Sequence, residues 1–160
     1  METIYHLRID TPVGPLQISG TATCIGEVTF TEDPPVDVAP PPALLLDCAQ
    51  QLLEYFKGDR KVFDIPIAQP GTAFQQTVWQ QLQTIPYGQT ISYQQLAHRI
   101  HNPRSIRAVG TTNGKNRLAI IIPCHRVIGS DGTLIGYGGG LWRKRWLLAH
   151  ERTDLFTGLL

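Results

Sequence analysis

The chain has 160 residues, 42% of them hydrophobic and 17% charged, which is enough for one ordinary domain or two small ones sharing a core. Its longest purely aliphatic run, Leu118 to Ile122, is far short of the roughly 20 residues of a membrane-spanning helix, and its first residues lack the basic and apolar regions of a signal peptide, so the cytosol or the nucleoid is expected and a membrane is not. Cys24, Cys48 and Cys124 are odd in number and contain no C-x-x-C pair, which excludes a disulfide framework and a zinc knuckle; reduced thiols and no metal are expected.

The net charge of +1 hides an asymmetry. Residues 1–70 hold 4 Lys and Arg against 10 Asp and Glu, a net of −6, whereas residues 71–160 hold 10 against 3, a net of +7. The second part alone has the balance that phosphate binding requires, although a dipolar protein whose halves attract each other would show the same counts.

Tyr5 to Asp10 alternates apolar with polar, Pro12-Val13-Gly14-Pro15 breaks it, and Leu16-Gln17-Ile18 resumes it, which predicts a β-hairpin. A further strand is expected over Cys24 to Phe30. Thr31 to Pro42, with five prolines and three acids, is a loop. Leu45, Cys48, Leu52, Leu53 and Phe56 recur at helical spacing over Ala43 to Lys57, and Gly58-Asp59 stops that helix. Cys24 and Cys48 both fall on apolar faces and are expected to be buried and inert.

The change of charge near residue 70 predicts a boundary between an N-terminal domain, 1–70, and a C-terminal domain, 71–160. Thr72 is placed to cap a helix carrying Phe74, Val78, Trp79, Leu82 and Ile85, which stops at Pro86-Tyr87-Gly88. Ser92 caps a second, from Tyr93 to about Ile100. Asn102-Pro103 starts a third, to about Asn113, closed by Gly114. The last two have the layout of a helix-turn-helix with Arg104 and Arg107 on its second member, a layout that non-binding αα-hairpins share. A strand over Leu118 to Ile122, a Pro123-Cys124-His125 turn, a Gly-rich loop over 136–140 and a helix from about Arg143 to His150 follow.

Cys124 is delivered by an apolar run and a proline, which fixes the backbone at that point. A core thiol is one reading, but His125 and Arg126 follow at once, and a core is not normally continued by two polar residues. A nucleophilic thiol needs a base, and the base needs a third group to orient it. Neighbours in an extended chain point to opposite faces, so a direct contact between Cys124 and His125 requires a turn or a bridging water. Glu151, just past the last helix, is the best carboxylate, since the basic half offers only Asp131, Glu151 and Asp154.

IPCHRVIG, together with FQQTVWQQLQTIPYGQTISYQQLA, RAVG, YGGG and WLLAHE, resembles the O6-alkylguanine-DNA alkyltransferases, closely over about residues 70–151 and more weakly before that, where only TPVGPL and the YFKG helix end match. The resemblance implies an α/β protein: a small N-terminal α+β part with a three-stranded antiparallel sheet and a helix, ribonuclease H-like, then a mainly helical part with a helix-turn-helix. It implies direct-reversal DNA repair, in which Cys124 takes the alkyl group of O6-methylguanine once and irreversibly, as a single-turnover cysteine S-methyltransferase without a cofactor. His125 would act as base through a water, Glu151 would hold His125, Asn116 would brace the turn, and Tyr93 would give a proton to the departing guanine. Arg107 would fill the place of the flipped nucleotide, with Arg104, Ser92, Asn113 and Thr111 on the DNA side. Val127, Tyr137, Gly138, Pro123 and Trp146 would form the base pocket. The implied partner is double-stranded DNA, bound by a monomer, with cooperative assembly along the duplex an open point.

Two departures stand out: many relatives have Asn-Pro where this chain has Asn116-Arg117, and some carry an apolar residue at the place of Asn113. The rival readings are a cysteine hydrolase or acyl transferase, for which no oxyanion-hole signature is present, a lesion binder of the alkyltransferase-like kind, which lacks the cysteine, and a transcription factor, which leaves PCHRV unexplained.

Overall fold

A computed structural model describes residues 2–34 and 39–153. The chain forms two compact units, Met1–Gln69 and Pro70–Leu160. The loop read over 31–42 lies partly outside the described residues, as does Asp154.

In the first unit β1 (Tyr5–Thr11), β2 (Gly14–Gly20) and β3 (Ile25–Phe30) form an antiparallel sheet in that order. Period-2 alternation puts Leu16, Ile18 and Val28 on one face, where all three are fully buried and Ile18 pairs with Val28. α1 (Ala43–Lys57) covers the sheet with Leu45, Cys48, Leu52, Tyr55 and Phe56. Gly58 ends it at φ 86°, where its N–H bonds Tyr55 O and that of Asp59 bonds Glu54 O, a Schellman closure that favours glycine. Burial, then the charge of Asp47, pushes the Cys48 thiol up to about 12. Cys24 departs from expectation: β3 starts one residue later, and Cys24 is half-buried in a turn closed by Thr21 N–H donating to Cys24 O at 2.9 Å.

The second unit contains α2 (Ala73–Leu82), β4 (Ile91–Ser92), α3 (Tyr93–Arg99), α4 (Ile106–Gly114), β5 (Val127–Ile128) and α5 (Leu141–Thr153). α2 and α3 start in capping boxes. The hydroxyls of Thr72 and Ser92 accept from the N–H groups of Gln75 and Gln95, whose side chains accept in return from the backbone of the two caps. The core gathers Val78, Trp79, Leu82, Leu96, Val109, Leu118, Ile120, Ile122, Val127 and Leu147.

Four elements of this unit differ from expectation. α2 ends at Leu82, and Ile85 lies beyond it in a turn closed by Ile85 N–H donating to Leu82 O at 3.1 Å. α4 begins at Ile106, not Pro103, because Ser105 N–H and Oγ both bond Asn102 O (3.0 and 2.6 Å) in a turn that precedes the helix. Gly114 lies inside that helix and Lys115 caps it. The run Leu118–Ile122 is no strand: Ile121 N–H bonds Ala119 O and Ile122 N–H bonds Leu118 O, with Ile120 at φ 72°. A short apolar run has no period to separate strand from buried turn, and the curl buries Leu118, Ile120 and Ile122 together. α5 is also longer than the expected 143–150, so Glu151 sits in its last turn instead of beyond it. The parallel pairing of Ile91 with Val127 and Ser92 with Ile128 has no local signal in the sequence and sets the start of α3 beside the segment that follows Cys124.

Gln51, buried on α1, donates to Asp64 O at 3.2 Å and accepts from Asp64 N–H at 3.0 Å, pinning the extended segment after the helix. Gln51→Ala orphans both backbone groups. It is expected to cost about 2 kcal/mol and to lower the calorimetric Tm by roughly 4–8 °C; an unchanged Tm would show that the segment is held by other contacts.

Candidate active site

Cys124 opens a single 3-10 turn, Cys124–Arg126, and is 6% exposed. Two asparagines at the end of α4 brace the chain that leads into it. Asn116 Nδ2 donates to Ile122 O at 2.9 Å and Leu118 O at 3.4 Å, while its Oδ1 accepts from Leu118 N–H at 3.1 Å. Asn113 Nδ2 donates to Cys124 O at 3.2 Å. Burial pushes the Cys124 thiol up, opposed by a hydrogen bond from Asn116 and by the charge of Lys144.

His125, fully buried, shares a 2.6 Å hydrogen bond between Nε2 and Glu151 Oε2. The same carboxylate accepts from Arg126 Nε on Oε1 (2.8 Å) and from Arg126 Nη2 on Oε2 (3.1 Å). Burial lowers the pKa of His125; Glu151 opposes this, and the charges of Arg126 and Lys144 add to it. Burial alone would raise Glu151, but His125 and Arg126 prevail and hold its carboxyl well below the usual range. Among the described residues nothing bonds His125 Nδ1, and no hydrogen bond joins His125 to Cys124.

A cavity of about 330 Å³ is lined by Tyr93, Ile106, Gly110, Asn113, Gly114, Ile135, Gly136 and Tyr137. Tyr93 Oη donates to Ile135 O at 3.1 Å, and burial raises its pKa. Lys144, fully buried on α5, donates to Ile135 O at 2.9 Å and Gly136 O at 3.3 Å, and lies 3.5 Å from Tyr93 Oη; burial lowers it to about 8. Of the five residues expected to form the pocket only Tyr137 lines this cavity. Val127 is fully buried in β5 and Pro123 is buried behind the turn, Gly138 is exposed, and Trp146 stacks on His150 at 4.9 Å.

Arg104 and Arg107 are exposed before and within the first turn of α4, and among the described residues neither guanidinium has a hydrogen-bond or ion-pair partner. Thr111, one helical turn after Arg107, is also exposed and donates its hydroxyl back to Arg107 O. The hydroxyl of Ser92 is engaged as the cap of α3. Asn113 departs from the expected DNA side: it is 4% exposed and turned towards the carbonyl of Cys124, because the helix places it three positions from Gly110 on the inner wall.

Sequence reasoning did not assign roles to Arg126 and Lys144. For Arg126 the signal is a charge just before the apolar Val127-Ile128, which calls for a partner if buried; Lys144, between Arg143 and Arg145, carries none. Among the described residues no group of three His, Cys, Asp or Glu side chains is placed to hold a metal.

The family model described as "6-O-methylguanine DNA methyltransferase, DNA binding domain" matches residues 73–153, and its companion, "ribonuclease-like domain", matches residues 4–69. A curated relative in Mycobacterium tuberculosis, a methylated-DNA--protein-cysteine methyltransferase, is 44% identical over 154 residues, 94% of this chain and 93% of the relative. One of Methanosarcina barkeri with the same name is 41% identical over 157 residues, 95% and 99% of the two chains. The crystal structure of the M. tuberculosis O6-methylguanine methyltransferase superposes with a TM-score of 0.87 at 42% identity, covering 98% of each chain, and a structure of the M. tuberculosis protein in complex with DNA gives 0.84 at 45% identity over 91% of each. A thiol beside a buried His-Glu pair, at the end of a helix-turn-helix and matched over nearly its whole length, places this chain in the methylated-DNA--protein-cysteine methyltransferase family.

Proposed function

We propose that the chain repairs O6-alkylguanine in duplex DNA by moving the alkyl group onto its own Cys124, once per molecule. In that reaction the Sγ–carbon bond forms as the carbon–O6 bond breaks, the thiol proton passes to His125 Nδ1 over one water, and guanine leaves with a proton given by Tyr93. The observation that carries this reading is the placement of Cys124 on a turn whose own histidine is buried and held by Glu151, with the nearby cavity walled by Tyr93 and Asn113.

A duplex hides O6, so the lesion must leave the stack at a cost of a few kcal/mol. Exposed Arg107, unpaired among the described residues, is the side chain suited to fill the gap, and Arg104 beside it supplies charge for phosphate. Affinity therefore falls as salt rises. The expected place of action is chromosomal DNA in the cytoplasm.

The direct test is mass spectrometry of the intact protein and its peptides after mixing with duplex DNA carrying one O6-methylguanine. One methylene should be added to the Cys124 peptide in stoichiometric yield and be absent from Cys124→Ala; a turnover product without protein modification would favour a hydrolase. For Arg107→Ala, repair of duplex should slow by on the order of tenfold or more, since a flipping residue offsets lost stacking, while reaction with free O6-benzylguanine stays near normal. Equal slowing on both substrates would exclude the flipping role. Tyr93→Phe should react on the order of 100-fold more slowly with little change in DNA affinity, and an affinity loss as large as the rate loss would contradict proton donation.

A further inference from the structure

Arg126 is 6% exposed and wholly committed. Nε and Nη2 grip the two oxygens of Glu151, Nη1 donates to Ile85 O at 2.8 Å, and the guanidinium lies 5.7 Å from the centre of the Tyr87 ring. A histidine 2.6 Å from a buried carboxylate, with no other cation beside that carboxylate, is drawn towards the imidazolium, because opposite charges attract strongly where water is excluded. An imidazolium has no lone pair with which to take a thiol proton. The mechanism above therefore needs a counterweight to Glu151.

We propose that Arg126 is that counterweight, a positioning residue that by holding Glu151 in a two-point grip keeps His125 as the Nε2–H tautomer with Nδ1 open to receive the proton of Cys124. The proposal rests on the alkyl-transfer reading. Glu151 Oε2 accepts from both His125 Nε2 and Arg126 Nη2, so the histidine hydrogen is on Nε2 and the lone pair is on Nδ1, the buried atom without a partner. Among the described residues three charged groups act on His125: Glu151 and Lys144 from α5, and Arg126 from its own turn. Burial lowers its pKa most, Glu151 alone among the described residues raises it, and the charges of Arg126 and Lys144 add to the lowering. Arginine suits the task because it stays charged throughout the working range and its fork matches a carboxylate in two places. The proton that reaches Nδ1 enters a site with two cations beside it, so it is held weakly and released after the sulfur has become a thioether.

The test has two arms. Nitrogen-15 NMR of the His125 ring in the wild-type protein should show the neutral Nε2–H form at pH 7 and above; an imidazolium at pH 7, or the Nδ1–H tautomer, overturns the proposal. In Arg126→Met the titration of His125 should move up by about one pH unit or more, the usual size of the effect of a charge at this distance. The acid limb of Cys124 alkylation by free O6-benzylguanine should move with it, and Arg126→Lys, which keeps the charge, should restore much of the wild-type profile. A uniform loss of rate at every pH with the histidine titration unmoved would mean that Arg126 only supports the fold. If Arg126→Met does not fold, the wild-type tautomer and the Arg126→Lys profile decide. Wild-type protein that shows the expected tautomer but never gains an alkyl group on Cys124 would sink the alkyl-transfer reading and leave the account of His125 standing.

Discussion

A single carboxylate with 1% of its surface exposed, Glu151, governs the architecture of the second unit. Taking one ion out of water costs several kcal/mol, and the attraction to its partners returns that only when the geometry is good. Glu151 meets the condition by drawing on three places in the chain: its own helix α5, the turn that carries His125 and Arg126, and the segment of Ile85 to Gly88, which Arg126 and the Gly88 N–H reach. A buried ion group of this kind adds little net stability. What it contributes is register, since a helix displaced by one residue would leave a bare charge inside the protein.

The turn that presents the thiol is held from the opposite side. Asn113 in the last turn of α4 and Asn116 just past its cap each reach a carbonyl of the descending chain, so the helix that bears Arg107 at its start leads directly into the braces of Cys124 at its end. Ile120 occupies a backbone region that costs a branched side chain about 1–3 kcal/mol. Burial of three aliphatic side chains and the bonds of Asn116 offset that strain. Rigidity around Cys124 is thus built from a strained residue and two amides, with no disulfide and no cluster of metal-ligating side chains among the described residues.

How much of this was legible in the sequence follows from the range of the interactions. Thr72 and Ser92 were readable as helix starts because a cap depends on four consecutive residues. The hairpin and α1 were readable because a period of 2 or 3.6 persists long enough to be counted. Leu118–Ile122 was misread as a strand because its shape is dictated by a side chain outside the run, Asn116. Cys124, His125 and Glu151 stood out as residue types, but the lowered pKa of the histidine comes first from burial, to which the charges of Arg126 and Lys144 add, and both burial and those neighbours are defined only by folding. The pocket was the least legible part, because a cavity wall such as Asn113, Ile135 and Gly136 is assembled from a helix and a loop with no common motif.

The capping boxes of α2 and α3 are both closed by glutamine, Gln75 and Gln95, where glutamate would serve the geometry equally well. An amide cap neither titrates nor weakens with salt. The starts of α2 and α3 are therefore indifferent to acid, and of the three buried groups with lowered values, His125, Glu151 and Lys144, the first two are left to set the response below neutral pH. His125 takes up a proton more readily unfolded than folded, so its contribution fades as pH falls below about 6.5. That of Glu151 is present above the ordinary carboxylate range and fades only as pH falls through its depressed folded value. Acid thus acts on this unit from the inside outwards: the chemical centre gives way while the helix ends are still intact, so loss of function precedes loss of helix.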